Sequence, residues 1–164
     1  MRSLVIHYSR TGNTATVADA LAKEFDADVL ELSCAKYGRG PIRYLFAGYD
    51  SVRGNLPEIN APDFIAEAYD LVLLGTPIWT SYPSLPMRAF LAKKPSLPKR
   101  ICLFLTYGGH SPPEKAVEQL QTALPQPIET SLTLGPAELK QPKLTAVIST
   151  FADRIKANSA LLRT

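Results

Sequence analysis

The chain has 164 residues, of which 46% are hydrophobic and 20% are charged, as in an ordinary soluble globular protein. A chain of this length buries roughly 70% of its unfolded surface, so we expect one domain over residues 1–164 with a complete core. The formal net charge of +3 is small and spread along the chain, which argues against a nucleic acid partner.

The sequence indicates neither a membrane span nor a secretion signal. Its N-terminus leads directly into a strand pattern, and no apolar run approaches the roughly 20 residues of a spanning helix. The two cysteines, Cys34 and Cys102, lie far apart in the sequence. Because Cys102 lies in the apolar run 101–105, we expect a buried, reduced thiol there. These features predict a cytoplasmic protein without a metal site.

Short apolar runs alternate with helical patterns along the chain. Strands are predicted near 3–8, 28–32, 70–75, 101–106 and 128–133. Helices are predicted near 13–24, 42–52, 62–68, 84–93, 113–123 and 143–157. The runs 71–74 and 101–105 are continuously apolar, as in parallel strands that are buried on both faces. The pattern predicts an α/β fold: a doubly wound, five-stranded parallel sheet of order 2-1-3-4-5, with helices on both faces.

A turn rich in hydroxyl groups follows the first predicted strand. It consists of Ser9, Arg10, Thr11, Gly12, Asn13 and Thr14, and the first predicted helix begins within it. A helix N-terminus directs backbone N–H groups and a dipole at an anion, and Gly12 permits close approach or a positive φ. The alternative is an ordinary βα turn with a helix cap. The density of hydroxyl groups favours a phosphate site.

Two further loops follow the third and fourth predicted strands, at the sheet edge where such folds bind ligands. The first includes Thr76, Pro77, Ile78 and Trp79; the second includes Thr106, Tyr107, Gly108, Gly109 and His110. Trp79 next to a stiff proline suits a planar ligand, although it could also cap the core. The paired glycines expose backbone N–H groups. His110 is a candidate proton source, although a loop histidine is often only solvent-exposed.

Residues 9–14 match throughout the Thr/Ser-x-Thr-Gly-x-Thr phosphate loop of the flavodoxin family. The chain resembles that family from residue 3 to about residue 155. The run Gly-Thr-Pro-Ile-Trp at 75–79 is similar to the family's first flavin-ring loop, and residues 106–111 resemble its second. The resemblance implies that flavin mononucleotide (FMN) is the cofactor. It also implies that residues 9–14 hold the FMN phosphate and that the other two loops contact the isoalloxazine ring.

Two features depart from carrier flavodoxins, which are usually acidic and often have a glycine in the first ring loop. This chain has a sequence pI near 8.9 and no glycine between residues 76 and 86. Both features favour an FMN-dependent oxidoreductase that transfers two electrons from NAD(P)H to quinones or similar acceptors. The alternative is a flavodoxin-type electron carrier that serves a redox protein partner.

The basic, aromatic segment 37–54 lengthens the connection between the second and third predicted strands. It is interpreted either as an amphipathic crossover helix that packs on the sheet, or as a segment over the flavin. In the second case Arg39 or Arg43 would bind an anionic substrate or a nicotinamide phosphate.

Two other classes of protein are excluded. A cysteine phosphatase loop needs five residues between its cysteine and arginine, whereas four separate Cys34 from Arg39. A receiver domain needs acidic residues after the first strand, where this chain has Ser9 and Arg10.

Overall fold

The computed structural model describes residues 1–37, 46, 49–50, 53–109 and 112–161. Its strands are β1 (Ser3–Tyr8), β2 (Asp28–Leu32), β3 (Leu71–Trp79), β4 (Tyr82–Pro83), β5 (Arg100–Thr106) and β6 (Ile128–Leu134). The helices, numbered within the described residues, are α1 (Asn13–Phe25), α2 (Leu85–Ala92), α3 (Glu114–Ala123) and α4 (Lys143–Leu161). Short 3-10 turns form at Ala35–Tyr37 and Ala66–Ala68.

Five strands run parallel in one sheet, in the order β2-β1-β3-β5-β6. The two-residue strand β4 pairs antiparallel with the end of β3. When the parallel strands are counted alone, their order is 2-1-3-4-5, so the predicted α/β fold is confirmed with β4 as an addition. All five parallel strands end at the same edge of the sheet, and β1, β3 and β5 end side by side there.

The sheet has a hydrophobic layer on each face. Helices α1 and α4 cover one face, and helices α2 and α3 cover the other. Strand β3 contributes Leu71 and Leu73 to the first layer and Val72 and Leu74 to the second. Each fully buried aliphatic side chain of this kind contributes about 1.5–3 kcal/mol to stability. Among the described helices, none is long and apolar enough to cross a membrane.

Gly75 lies on the face covered by α1 and α4, just before the predicted ring loop. An ideal Cβ at this position would lie 2.0 Å from Cζ of Phe104, so the phenyl ring occupies the space that a side chain would need. Phe104 pairs with Gly75 across β3 and β5 and is fully buried. The glycine is therefore required by the close packing of a neighbouring aromatic residue.

The predicted helix near residues 62–68 is wrong, since only the turn Ala66–Ala68 forms there. Phe64 packs against the core, whereas the adjacent Ile65 is 70% exposed, so the apolar residues do not share one helical face. Upstream, Asn60 exchanges two backbone hydrogen bonds with Ser33, of 2.9 and 3.0 Å, which holds the chain extended.

The predicted helix near 42–52 lies outside the described residues, except for Phe46, Tyr49 and Asp50, which are helical. The third predicted strand extends beyond its expected end, to Trp79, and the other predicted helices and strands form within a few residues of their expected bounds.

Candidate cofactor-binding site

The three loops predicted to bind the cofactor lie together at the carboxyl edge of the sheet. Strand β3 lies between β1 and β5, and Pro77 pairs with Thr106 at the ends of β3 and β5. The hydroxyl oxygens of Thr14 and Thr106 are 2.8 Å apart, which joins the start of α1 to the end of β5. The fold therefore brings together residues that are 92 positions apart in the sequence.

The turn before α1 has the geometry of an anion site. Gly12 is the N-cap, with φ 99° and ψ −19°, and it supplies no side-chain cap to the helix. The first turn also contains no acidic residue that would neutralise the positive end of the helix dipole. Within the turn, the hydroxyl of Ser9 accepts a 3.2 Å hydrogen bond from the Gly12 N–H. Thr11 and Asn13 are exposed, and Arg10 is half-buried. This arrangement fits the phosphate of FMN.

Thr14 differs from the other residues of this turn because its side chain is buried, with 1% exposure. Its hydroxyl pairs with that of Thr106, which is 3% exposed. The pair therefore joins the N-terminus of α1 to the end of β5.

The first ring loop is a β-hairpin, so the prediction that the third strand ends near residue 75 is wrong. The chain continues as β3 to Trp79 because Ile78 and Trp79 pair with the return strand, β4. The two turn residues, Thr80 and Ser81, have φ values of 50° and 70°. Positive φ at both positions is typical of the tight turns that connect antiparallel strands, where glycine and asparagine are usual.

A buried hydroxyl pair closes the base of this hairpin. The hydroxyls of Thr76 and Ser84 are 2.9 Å apart, and the Ser84 N–H donates to the carbonyl of Pro77 at 3.0 Å. Thr76 and Ser84 are 1% and 0% exposed. The backbone from residue 76 to residue 84 is thus fixed by the hairpin pairing and by this contact.

Two tyrosines pack against the ring of Trp79. Its ring centroid lies 5.8 Å from that of Tyr8 and 5.4 Å from that of Tyr37, both in edge-to-face geometry. The Tyr8 hydroxyl donates to the carbonyl oxygen of Tyr37 at 3.2 Å. Trp79 is half-buried, so it packs against the core and still leaves surface for a planar ligand. Its contact with the flavin ring stays a prediction.

Tyr37 is anchored by a carboxylate that the sequence did not reveal. Its hydroxyl donates to Asp50 Oδ2 at 2.8 Å, and Lys36 Nζ lies 2.7 Å from the same oxygen. The hydrogen bond from Lys36, together with those from Tyr37 and Asn55, holds the pKa of Asp50 below its usual value despite the opposing effect of burial. No spacing motif connects these residues, because they meet only in the folded chain.

We expect Asp50→Asn to reduce the free energy of unfolding at pH 7. A carboxyl group whose pKa is lowered on folding stabilises the protein above its unfolded pKa, about 3.9, and this contribution disappears as pH falls through the folded value. The difference between wild type and variant should therefore shrink below about pH 4. Urea unfolding at pH 7, 4 and 3 measures it, with the exposed Asp63→Asn as the control. A difference that is independent of pH would contradict the prediction.

The second ring loop begins at Tyr107 and continues into two exposed glycines. The Tyr107 N–H donates to the Leu134 carbonyl at 3.0 Å, and its ring packs over Gly135. Gly109 has a φ of 70°, and ideal Cβ atoms at Gly108 and Gly109 would meet no atom within 4 Å. The backbone there is open to a ligand. His110 lies outside the described residues, as do Arg39 and Arg43.

The model of the Flavodoxin family matches residues 2–134 of this chain. The chain therefore belongs to the flavodoxin family, which confirms the resemblance seen in the sequence. With that membership the prediction of FMN as the cofactor is also confirmed, whereas the individual residues that hold FMN stay predictions.

Several solved structures share the fold at low sequence identity. A flavoprotein from Lactobacillus acidophilus, crystallised in complex with FMN, is 20% identical with a TM-score of 0.65 and covers 80% of this chain and 92% of its own. A candidate flavoprotein from Bacteroides uniformis is 22% identical with a TM-score of 0.73, covering 90% and 97%. Oxidised flavodoxin 2 from Bacillus cereus is 16% identical with a TM-score of 0.63, covering 96% and 99%.

Proposed function

We propose that this chain is an FMN-dependent oxidoreductase that takes two electrons from NAD(P)H and passes them to quinones or similar small acceptors. The rigid first ring loop is the observation that carries the proposal. Hairpin pairing and the Thr76–Ser84 contact fix its backbone, and the loop contains no glycine. A fixed loop offers the same hydrogen-bonding groups at every stage of reduction, which favours transfer of two electrons in one step.

Each of the three loops would bind a different part of FMN. The helix N-terminus at residues 9–14 holds the phosphate, and residues 76–79 and 106–109 lie along the ring. The Gly108 and Gly109 N–H groups would stabilise negative charge on the ring. When bound, FMN supplies the hydride-accepting chemistry, and the protein supplies position and electrostatics. The basic pI of 8.9 supports small acceptors, since carriers that dock on basic partners are usually acidic.

Turnover and reduction potential test the proposal together. We expect the FMN-loaded protein to oxidise NADH or NADPH with a panel of benzoquinones and naphthoquinones, and the FMN-free protein to be inactive. In a potentiometric titration the flavin should be reduced in one step, with a slope of about 30 mV per tenfold ratio rather than about 59 mV. Two resolved one-electron steps together with absence of turnover would favour the electron carrier instead.

A glycine placed in the first ring loop tests the role of its rigidity. We expect Pro77→Gly to release the backbone next to Thr76 and to split the single reduction step into two. Pro95→Gly, in a loop outside the three binding loops, should leave the titration unchanged. If Pro77→Gly retains a single two-electron step, the rigidity of this loop does not determine the electron count.

A further inference from the structure

A groove separates helices α2 and α3 and begins at the return strand of the first ring loop. Its upper part, next to β4, is a cavity of about 780 Å³ whose lining includes the apolar residues Leu56, Pro83, Leu91 and Leu120. A second cavity of about 590 Å³ shares Leu91 and Lys94 with the first, so the groove continues past the C-terminal ends of both helices. These volumes are typical of sites for small molecules, which range over about 300–1,000 Å³.

The charge of the upper cavity is strongly positive. Arg88, Lys94 and Lys115 line it, against one carboxylate, Glu118. None of the ion pairs between described residues includes Lys94 or Lys115. An excess of cations beside apolar lining residues is suited to a ligand that is both anionic and partly apolar.

Tyr82 lies in the return strand β4, at the end of the groove that we call its mouth, and its ring contacts Arg88 and Lys115, which line the cavity. It pairs with Trp79 in the hairpin, and Lys115 lies in the first turn of α3, shortly after the second ring loop. Lys115 Nζ is 4.4 Å from the Tyr82 ring centroid, and the Arg88 guanidinium carbon is 5.7 Å from it. Both cations thus contact the Tyr82 ring, which holds their charge at this end of the groove, where phosphate groups can bind.

We infer that this groove binds the 2′-phosphorylated adenosine end of NADPH, an inference that rests on the proposed function for the nicotinamide end. The apolar residues that line the cavity receive the adenine. Arg88, Lys94 and Lys115 bind the phosphates, since guanidinium and ammonium groups form the strongest hydrogen bonds with these anions. The position of the mouth beside Trp79 leaves the other half of the dinucleotide free to reach the flavin ring. NADPH is preferred over NADH because it carries the additional phosphate.

Binding of 2′,5′-ADP to the FMN-loaded protein tests the groove without any turnover. FMN fills the phosphate loop and removes it as a competing site. By isothermal titration calorimetry we expect Lys115→Gln and Lys94→Gln each to weaken 2′,5′-ADP about tenfold. Lys23→Gln removes the same charge from the last turn of α1, on the opposite face of the sheet, and should have no effect. In steady state, Lys115→Gln should raise KM for NADPH more than for NADH, with kcat unchanged.

Three results would overturn the inference: no binding of 2′,5′-ADP, equal weakening by Lys23→Gln, or displacement by inorganic phosphate at the same concentration as by 2′,5′-ADP. The last would indicate a general anion site. If the protein binds 2′,5′-ADP with the expected dependence on Lys115 but does not oxidise NADPH, the groove is supported and the proposed reaction alone fails.

Discussion

FMN should bind this chain at least about a hundredfold more tightly than riboflavin. The N-terminus of α1 lacks a side-chain cap and an acidic first turn, so its N–H groups are available to the phosphate. A hydrogen bond to a charged group contributes roughly 1.5–3 kcal/mol, and each 1.4 kcal/mol corresponds to about tenfold in affinity. Two such bonds are sufficient for the expected ratio. Parallel titrations of the apoprotein with FMN and riboflavin measure it, and equal affinities would contradict the phosphate-loop assignment.

Gly12→Ala should reduce this preference for FMN by about tenfold. The φ of Gly12 is 99°, and a left-handed backbone costs an L-residue about 1–2 kcal/mol, so the turn would shift to relieve it. An added Cβ meets no atom within 4 Å, so the effect is conformational rather than steric. Gly109→Ala is the matched control, since Gly109 also combines a positive φ with open space. It lies in the second ring loop, so it should leave the FMN to riboflavin ratio unchanged.

Gly75→Ala should lower the free energy of unfolding by about 1–3 kcal/mol, the usual cost of overpacking a core. The added methyl would overlap the Phe104 ring, whose nearest atom is 2.0 Å from the ideal Cβ. Because Gly75 directly precedes Thr76, the displaced backbone should also weaken FMN binding. Urea unfolding of the apoprotein separates the stability effect from the effect on binding.

Replacement of the phenyl ring of Phe104 tests whether this clash causes the loss of stability in Gly75→Ala. In a Phe104→Leu background, Gly75→Ala should lower the free energy of unfolding by clearly less than it does in the wild type, because the smaller leucine side chain leaves room for the added methyl group. Gly108→Ala is the control for glycine substitution itself, since its Cβ would meet no atom within 4 Å. Strict additivity of Gly75→Ala and Phe104→Leu would show that the loss of stability has another origin.

The sequence by itself determined the layers of the fold, and it predicted the phosphate loop. The runs 71–74 and 101–105 had to be buried on both faces because each is apolar at every position, and they form the central strands β3 and β5. The turn at residues 9–14 was recognisable because its chemistry is local: hydroxyl groups, a glycine and a helix start are consecutive in the chain. Local signals of this kind do not depend on what else packs nearby.

Only the tertiary structure decided how the ring loops are supported. The contact of Thr14 with Thr106 and the packing of Trp79 on Tyr8 and Tyr37 join residues far apart in the sequence. Which side chains come into contact also depends on how the whole core packs, and the spacing of apolar residues in the sequence does not predict this.

The same reason explains the predictions that were wrong. The hairpin at residues 78–83 extends β3 beyond residue 75 because a return strand pairs with it. The helix near residues 62–68 does not form because the preceding chain is held extended by Ser33, in a contact formed across the fold. Pairing between distant segments overrides local preference, since each segment satisfies its backbone hydrogen bonds with the partner that the folded sheet provides.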